Sequence, residues 1–155
     1  MRLAARLADR DSFWERHANP WSGWSRFLAT PMLLYAAYAR DRRVLALALG
    51  FTVVNPVAFP PVDRGGDPAW MTRVVDAERA WIRGEIEPGA WTRLNAVNSL
   101  LFGYALLSAY RRRPTRATLA AAVSTALKLL FVGVLVRKRA TALSRTADGG
   151  RELPG

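Results

Sequence analysis

The sequence predicts an all-α fold with four transmembrane helices, arranged as two helical hairpins that are joined by an amphipathic interfacial helix. Three observations support this prediction: apolar residues form four long blocks, charged residues are concentrated between them, and one segment between the blocks has helical amphipathic periodicity. A charge at the centre of a spanning helix costs about 2.5 to 3.5 kcal/mol, so this segregation is typical of membrane proteins. The mean hydropathy of +0.01 conceals it, because it averages over both kinds of segment.

The four apolar blocks are separated by short connections within each pair. They cover residues 24–39, 44–62, 94–110 and 117–136. The first block is about 24 Å long at 1.5 Å per residue, so it crosses the hydrocarbon layer only if Arg26 reaches an interface. Because a few residues can connect only antiparallel neighbours, each pair of blocks predicts a helical hairpin.

The segment between the two pairs predicts a further helix, over about residues 68–83. On a helical wheel Trp70 and Trp81 share one face, whereas most of the charged residues occupy the other. Such a helix would lie along the membrane surface with its tryptophans among the lipid headgroups. The whole chain, 1–155, is therefore predicted to be a single membrane domain in the cell membrane, with a flexible tail over about 140–155.

The charge balance predicts a membrane partner rather than a nucleic acid. The chain has 23 Lys and Arg against 12 Asp and Glu, a formal net charge of +11. The basic residues flank the apolar blocks, where anionic lipid headgroups lie, and no zinc-finger spacing or RNA-binding signature accompanies them. The predicted partners are membrane lipids and further copies of the chain in a homo-oligomer. Cysteine is absent, which excludes disulfides and Cys-ligated metals.

Lys128 is the most unusual residue within the apolar blocks, because it interrupts the fourth block about midway along its length. A lysine there must face protein or water, so it either attracts an anion or is a hydrogen-bonded structural residue. The asparagines of the blocks favour bonds between helices, with the lining of a permeation path as the alternative. No Asp or Glu lies within the four blocks, which argues against a carboxylate-driven exchanger. The candidate intramembrane polar site comprises Lys128, Asn55, Asn98, Asn95, Thr125 and Thr52.

A second set of candidates lies just outside the blocks, where tryptophans and the single histidine occur. Glu78 falls beside the tryptophans of the interfacial helix, and we expect it to form a salt bridge with Arg26 or Arg93. One histidine among scattered acids does not predict a metal site, and no cofactor motif is present. The candidate interfacial surface comprises His17, Asn19, Trp21, Trp24, Trp70, Asp76, Glu78 and Trp81.

Three hypotheses for function remain open. The first is a non-enzymatic membrane protein that packs with itself or with a partner through its tryptophan-rich interfacial surface. The second is a small transporter or channel for an anion or a small neutral solute, which uses Lys128 and Asn55. The third is a membrane-surface enzyme built on His17, Asp76 and Glu78. No residue is assigned a catalytic role.

Three unusual sequence words carry a family resemblance: RHANPWSGWSR at 16–26, NPVAFPP at 55–61 and AWMTRVV at 69–75. With these words the chain resembles a family of small prokaryotic membrane proteins known only as a domain of unknown function. The resemblance extends over about residues 13–136 and includes the signature His-Ala-Asn-Pro-Trp-Ser-Gly-Trp. It implies a multi-pass topology, and it implies no activity, cofactor or catalytic residue.

Overall fold

The computed structural model describes residues 11–149, and every regular element in that part of the chain is helical, which confirms the all-α prediction. The elements are α1 (Asp11–His17), α2 (Pro20–Ser25), a 3-10 turn (Arg26–Leu28), α3 (Ala29–Ala39), α4 (Arg42–Ala58), α5 (Trp70–Ile82), α6 (Trp91–Tyr110) and α7 (Pro114–Gly149). The turn joins α2 directly to α3, so residues 20–39 form one almost uninterrupted helical rod.

The helices differ in length from the apolar blocks that predict them. α4 ends at Ala58 rather than near residue 62, because Phe59 is extended and two prolines follow it. α7 has 36 residues and continues through Gly149, well into the range predicted as a flexible tail. Residues 150–155 of that predicted tail lie outside the described residues. Among the described helices, α7 alone is long and apolar enough to be a candidate membrane span by length and composition.

One part of the molecule, here called the bundle, consists of α3, α4, α6 and residues 114–128 of α7. α3 contacts α4 and α6, and α6 makes its most extensive contact with α7. Large apolar side chains point outwards: Val53 is 76% exposed and Leu100 is 77% exposed. The residues buried between these helices are small, apart from Asn55 of α4. They are Ala36, Ala48, Ala105, Ser108, Ala109, Ala117, Ala120, Ala121 and Ser124.

The other part, here called the cap, consists of α1, α2, α5 and residues 129–147 of α7. Its buried residues include large apolar ones as well as alanines: Phe131 and Leu135 of α7 pack against Met71, Val74 and Ala77 of α5. A second cluster joins the far side of α5 to α1 through Trp14 and its neighbours. α5 is thus packed between two helices, α1 and α7.

This packing of α5 differs from the predicted helix lying flat on a membrane. Thr72 lies on the same face of α5 as most of the charged residues, yet it is fully buried, and its hydroxyl donates a hydrogen bond of 2.9 Å to the Ala18 carbonyl. Val75 on the same side is also fully buried. Amphipathic periodicity identifies a helix with two unlike faces, but it does not identify what covers each face.

Two local features hold α2 close to α5 and α4. Asn19 caps α2 by accepting a hydrogen bond of 2.9 Å from the Trp21 amide, and its own amide donates to the Pro60 carbonyl at 3.1 Å. Gly23 lies so close to Met71 that a Cβ at this position would be 1.9 Å from the Met71 Cγ. The absence of a side chain at Gly23 therefore permits the close approach that places Arg26 beside α5.

Candidate binding pocket

A cavity of about 390 Å³ lies where the cap meets the bundle, enclosed by α2, the 3-10 turn, α3, α5, α6 and α7. This volume is within the range of pockets that hold small organic molecules. The polar side chains at its wall are Arg26, Thr30, Glu78, Asn98, Ser99, Ser124, Thr125 and Lys128. The remaining wall consists of Gly23, Phe27, Trp70, Met71, Val74, Phe102, Leu129 and Val132.

Lys128 forms an ion pair with Glu78, with 3.0 Å between Nζ and Oε1. The side chain of Lys128 is 42% exposed and that of Glu78 is 16% exposed, so the pair stands at the edge of the cavity. We expected Glu78 to pair with Arg26 or Arg93. The structure pairs it with Lys128 instead, because α5 packs against the second half of α7.

Lys128 lies near one end of the bundle rather than at its middle. The Ser124 hydroxyl contacts Asn98, 3.2 Å from its carbonyl oxygen and 2.5 Å from Oδ1, which sets the register of α7 against α6. One helical turn further along α7, Lys128 is level with about Leu94, close to the first residue of α6. The fourth apolar block is longer than its partner, so the middle of that block is not the middle of the helix pair.

Arg26 is held in place by two hydrogen bonds from its guanidinium group. Its Nη1 is 3.0 Å from His17 Nε2, and its Nε donates to the Ser22 carbonyl at 3.3 Å. A guanidinium group has no acceptor, so Nε2 of His17 must accept and the ring proton must be on Nδ1. Nδ1 is buried and has no hydrogen-bond partner among the described residues. Burial and the nearby Arg26 charge lower the pKa of His17 to about 4, so the ring is neutral at physiological pH.

The ionisable groups at the cavity wall are Arg26, Lys128 and Glu78. Glu78 compensates one of the two cations, so the cavity retains one net positive charge. Coulombic attraction in such a partly desolvated site favours a ligand with one negative charge. The apolar wall suits a ligand whose remaining atoms are hydrocarbon.

The structure separates the predicted intramembrane polar residues into two groups. Lys128, Asn98 and Thr125 line the cavity. Asn55 lies away from it, buried between α4 and α2, where its Oδ1 accepts from the Ser22 hydroxyl at 3.1 Å and its Nδ2 donates to Ser25 Oγ at 2.6 Å.

The remaining two members of that predicted site are also outside the cavity wall. Thr52 donates to the Ala48 carbonyl of its own helix at 2.8 Å. The carbonyl of Asn95 accepts a hydrogen bond from the Ser99 hydroxyl at 3.0 Å. The bonds of both residues therefore stay within one helix.

The predicted interfacial residues are also distributed among different environments. Trp70 lines the cavity and stacks on Trp24, with 5.9 Å between ring centroids. Trp21 is 74% exposed and points away from the protein. Trp81 packs its edge against Phe131 in the cap core, with 5.3 Å between centroids. Asn19 is the helix cap described above.

The three residues of the enzyme hypothesis each have a different cationic partner. His17 faces Arg26, Glu78 binds Lys128, and Asp76 accepts from Arg64 at 2.9 Å and from Arg139 at 3.2 Å. They therefore do not share one acid-base site. Within residues 11–149 no group of three or more His, Asp or Glu side chains is arranged to hold a metal ion.

Sequence reasoning missed Arg26 and Ser124 as members of the site. The sequence predicts that Arg26 reaches a membrane interface, whereas its guanidinium group lies at the cavity wall. Ser124 could have been found, because it is one helical turn before Lys128 and so shares its face of α7. The participation of Arg26 depends on the close packing of α2 and α5, which no spacing in the sequence reveals.

Comparison with known proteins gives a family and no activity. No curated protein and no solved structure matches the chain with significant similarity. A family model matches residues 1–134, a range that contains every residue of the cavity wall. The chain therefore belongs to DUF6653, a family of unknown function.

Proposed function

We propose that this chain is a multi-pass integral membrane protein that binds a small amphiphile with one negative charge in the pocket between cap and bundle. The observation that carries the proposal is the pocket itself, in which Arg26, Lys128 and Glu78 leave one uncompensated positive charge beside an apolar wall. The proposal has two parts, the membrane setting and the ligand, and each part has its own support.

The surface of the bundle supports the membrane setting. Val53 and Leu100 are more than three-quarters exposed, and the residues between the helices are mainly alanine and serine. Water-soluble bundles bury their large apolar residues, because the hydrophobic effect drives them inwards. Lipid provides no such driving force, so membrane helices approach through small residues and turn large ones outwards. The bundle has the second pattern.

Helix lengths are compatible with four spans. α6 has 20 residues and is about 30 Å long, the thickness of the hydrocarbon core. Residues 20–39 form a rod of equal length, but this length includes α2, which packs with the cap and would lie at the membrane boundary. α4, with 17 residues, is about 26 Å long and would need a slightly thinned bilayer or exposed flanking residues. α7 is longer than the layer, and its second half would emerge with the cap.

Aromatic residues mark both boundaries of the proposed membrane region. Trp21, Trp24 and Trp91 are exposed near the junction of cap and bundle. Tyr38 and Tyr110 are exposed at the opposite ends of α3 and α6. Tryptophan and tyrosine are enriched at membrane interfaces, so these two belts are consistent with a bundle that spans the bilayer.

Binding, rather than conduction, is the activity that the pocket supports best. The pocket lies at the cap end of the bundle, and Asn55, which would extend a polar path along α4, is sealed by Ser22 and Ser25. The apolar wall and the tryptophans beside it would accept a hydrocarbon chain entering from the lipid.

A second candidate function is docking to a partner protein through the tryptophan surface. It is favoured by the exposure of Trp21 at 74% and of Trp24 at 52%. In this case Trp21→Ala should weaken association with the partner while the pocket still binds its ligand, because Trp21 is not part of the cavity wall.

The ligand is tested by fluorescence quenching of the full chain in lipid nanodiscs. A medium-chain carboxylate brominated at its chain end should quench part of the fluorescence of the six tryptophans saturably, because Trp70 lines the pocket, whereas the matched brominated alcohol should show only unsaturable partitioning. Arg26→Gln should weaken carboxylate binding about tenfold, the effect of losing one charge-assisted hydrogen bond. The matched control is Arg93→Gln, an exposed arginine outside the cavity wall.

A paired substitution separates the charge of the pocket from its shape. Lys128→Met alone should weaken binding, since it leaves Glu78 uncompensated beside the ligand. Lys128→Met combined with Glu78→Gln keeps the net positive charge on Arg26 and should restore most of the affinity. Equal quenching by carboxylate and alcohol, or equal losses in Arg26→Gln and Arg93→Gln, would contradict the ligand proposal.

The membrane setting is tested with single cysteines, which is straightforward because the chain contains none of its own. In sealed vesicles, cysteines replacing Arg42 and Arg113 should be labelled from one side, and cysteines replacing Gly66 and Ser144 from the other. Labelling of all four from one side, or a chain that stays monodisperse without detergent, would overturn the multi-pass proposal.

A further inference from the structure

The end of the bundle opposite the cap carries a concentration of arginines on two short connections and on the first turns of α4 and α7, which follow them. All of them are exposed, and the single acidic residue among them is Asp41. The arginines are Arg40, Arg42, Arg43, Arg111, Arg112, Arg113 and Arg116.

Two cation–π contacts join the connections into one surface. The Arg40 guanidinium lies over the Tyr110 ring, 4.6 Å from its centroid, and the Arg112 guanidinium lies over the Tyr38 ring at 5.1 Å. Each connection therefore places an arginine on a tyrosine of the other helix pair. Although the arginines are separated by about seventy residues of sequence, they form one patch, here called the arginine patch.

The charges of the arginine patch have no internal compensation. Within residues 11–149 none of its arginines forms a salt bridge with a carboxylate. The Asp41 carboxylate caps α4, with Oδ1 accepting from the Arg43 amide at 2.8 Å and from the Val44 amide at 3.2 Å. The nearest acid is therefore already engaged by the backbone.

Two arginines occupy backbone positions that ordinarily favour glycine. Arg40 and Arg112 have φ of 57° and 58°, in the left-handed region, and each follows the end of a helix. Glycine or asparagine would adopt this conformation with less strain. The backbone conformation therefore does not explain why these positions hold arginine, whereas the cation–π contacts of the two side chains do.

We propose that the arginine patch binds the phosphate headgroups of anionic phospholipids. The inference rests on the proposed membrane function, because that function places the ends of α3, α4, α6 and α7 at the lipid headgroups. A guanidinium group matches phosphate oxygens with two parallel hydrogen bonds, and clustered arginines next to spanning helices attract anionic lipid. Tyr38 and Tyr110 fit the same location, since tyrosine prefers the interface.

The experiment compares two fourfold variants of the full chain in detergent, by native mass spectrometry with added phosphatidylglycerol or phosphatidylcholine. The test variant replaces Arg42, Arg43, Arg111 and Arg113 by glutamine, and it leaves the stacked arginines in place. The control variant replaces Arg73, Arg83, Arg93 and Arg145, all exposed residues outside the arginine patch, and removes the same charge. Wild type and control should retain phosphatidylglycerol about tenfold better than phosphatidylcholine, and the test variant should lose this preference.

Several outcomes would overturn the inference. They are an equal affinity of the wild type for the two lipids, an equal loss in the control variant, and a labelled oligonucleotide that displaces phosphatidylglycerol from the wild type. The carboxylate-quenching assay serves as the independent readout, because the test variant leaves the pocket intact. Normal quenching without a lipid preference would reject the arginine patch alone, whereas a chain that is soluble without detergent would reject the proposed function as well.

Discussion

The cap and the bundle are both helical and both bury small residues, but the cap also buries large apolar side chains, whereas the residues buried in the bundle are mainly alanine and serine. The cap places Phe131 and Leu135 at its centre with no exposed surface. The bundle places Ala105 and Ala121 between its helices and leaves Leu100 largely exposed. The cap therefore has the kind of core that is found in water-soluble proteins, and the bundle has the pattern that the proposed membrane setting requires.

α7 contributes to both parts, and the size of its buried residues changes along its length. Its residues before 128 bury alanines against α6, and its residues after 128 bury Phe131 and Leu135 against α5. The size of the buried residues therefore depends on which helix α7 faces. The change occurs at Lys128, whose ion pair with Glu78 stands beside the pocket. An amphiphile bound there would meet protein charge on the cap side and hydrocarbon on the bundle side.

The two ends of the molecule also differ in how their arginines are compensated. At the cap end, Arg64 of the connection between α4 and α5 pairs with both Asp76 and Glu15, and those hydrogen bonds raise the pKa of its guanidinium above the usual range. Arg79 likewise binds Asp11 and holds the pKa of that carboxyl below its ordinary value. The arginine patch has no such pairs within the described residues, so its charge is available to an external anion.

The comparison predicts its largest effect on stability at Phe131, in the core of the cap. It predicts almost no effect at Leu100, on the surface of the bundle. Phe131→Ala should lower the free energy of unfolding by about 3 to 5 kcal/mol, because it leaves a cavity in a close-packed core. Leu100→Ala removes a side chain that is 77% exposed and should change the free energy by less than about 0.5 kcal/mol. Thermal unfolding in detergent, followed by circular dichroism, measures both.

The losses of stability in Phe131→Ala and Leu100→Ala together test whether the bundle surface faces lipid. If Leu100→Ala lost about as much stability as Phe131→Ala, another protein surface would have to cover Leu100, as in a tightly packed oligomer. The size of the particle in the same detergent, measured by light scattering, distinguishes that case from a monomer.

A smaller effect is expected from the pH dependence of the cap. His17 has a folded-state pKa of about 4 against an ordinary value of 6.5, so the folded state favours the neutral ring. Its stabilising contribution is complete above pH 6.5 and is lost as the pH falls towards 4. The loss amounts to at most about 3 kcal/mol, which corresponds to the shift in pKa.

The test compares the wild type with His17→Gln, which cannot gain a proton. Between pH 7 and pH 4 the melting temperature of the wild type should fall more steeply than that of the variant, by about 5 °C or more. The carboxylates also titrate in this pH range, but they are present in both proteins and therefore affect both melting temperatures alike. Parallel curves would mean that His17 is protonated equally well in the folded and unfolded chains.

Each of the four apolar blocks overlaps one of the helices α3, α4, α6 and α7, but of the described helices only α7 is long and apolar enough to be a candidate membrane span, so the prediction of four spans stays a proposal. Asn55 and Asn98 show where that prediction stops. Both are amides within apolar blocks, but Asn55 is sealed between α4 and α2, while Asn98 lines the pocket. Their roles depend on which helix packs against each one, and that arrangement is not encoded by spacing along the chain.

The cap was harder to predict, because its packing joins segments that are far apart in sequence. The two-faced pattern of α5 fits a helix on a membrane as well as it fits a helix between α1 and α7. Thr72 distinguishes the cases only through its bond to Ala18, 54 residues earlier. The position of Lys128 required the register between α6 and α7, which the Ser124 contact with Asn98 sets and the lengths of the blocks conceal.

The smallest predicted effect tests the packing of the bundle from inside. Ala105 has no exposed surface and lies against Ala120 and Ala121 of α7, so Ala105→Leu should force the helices apart and cost about 2 kcal/mol. The matched control is Ala96→Leu, an exposed position on the same helix, which should be neutral because its added side chain meets the surroundings rather than α7. Thermal unfolding in detergent measures both. If Ala105→Leu were neutral as well, the contact between α6 and α7 could not depend on small residues, and the contrast between a small-residue bundle and a large-residue cap would lose its physical basis.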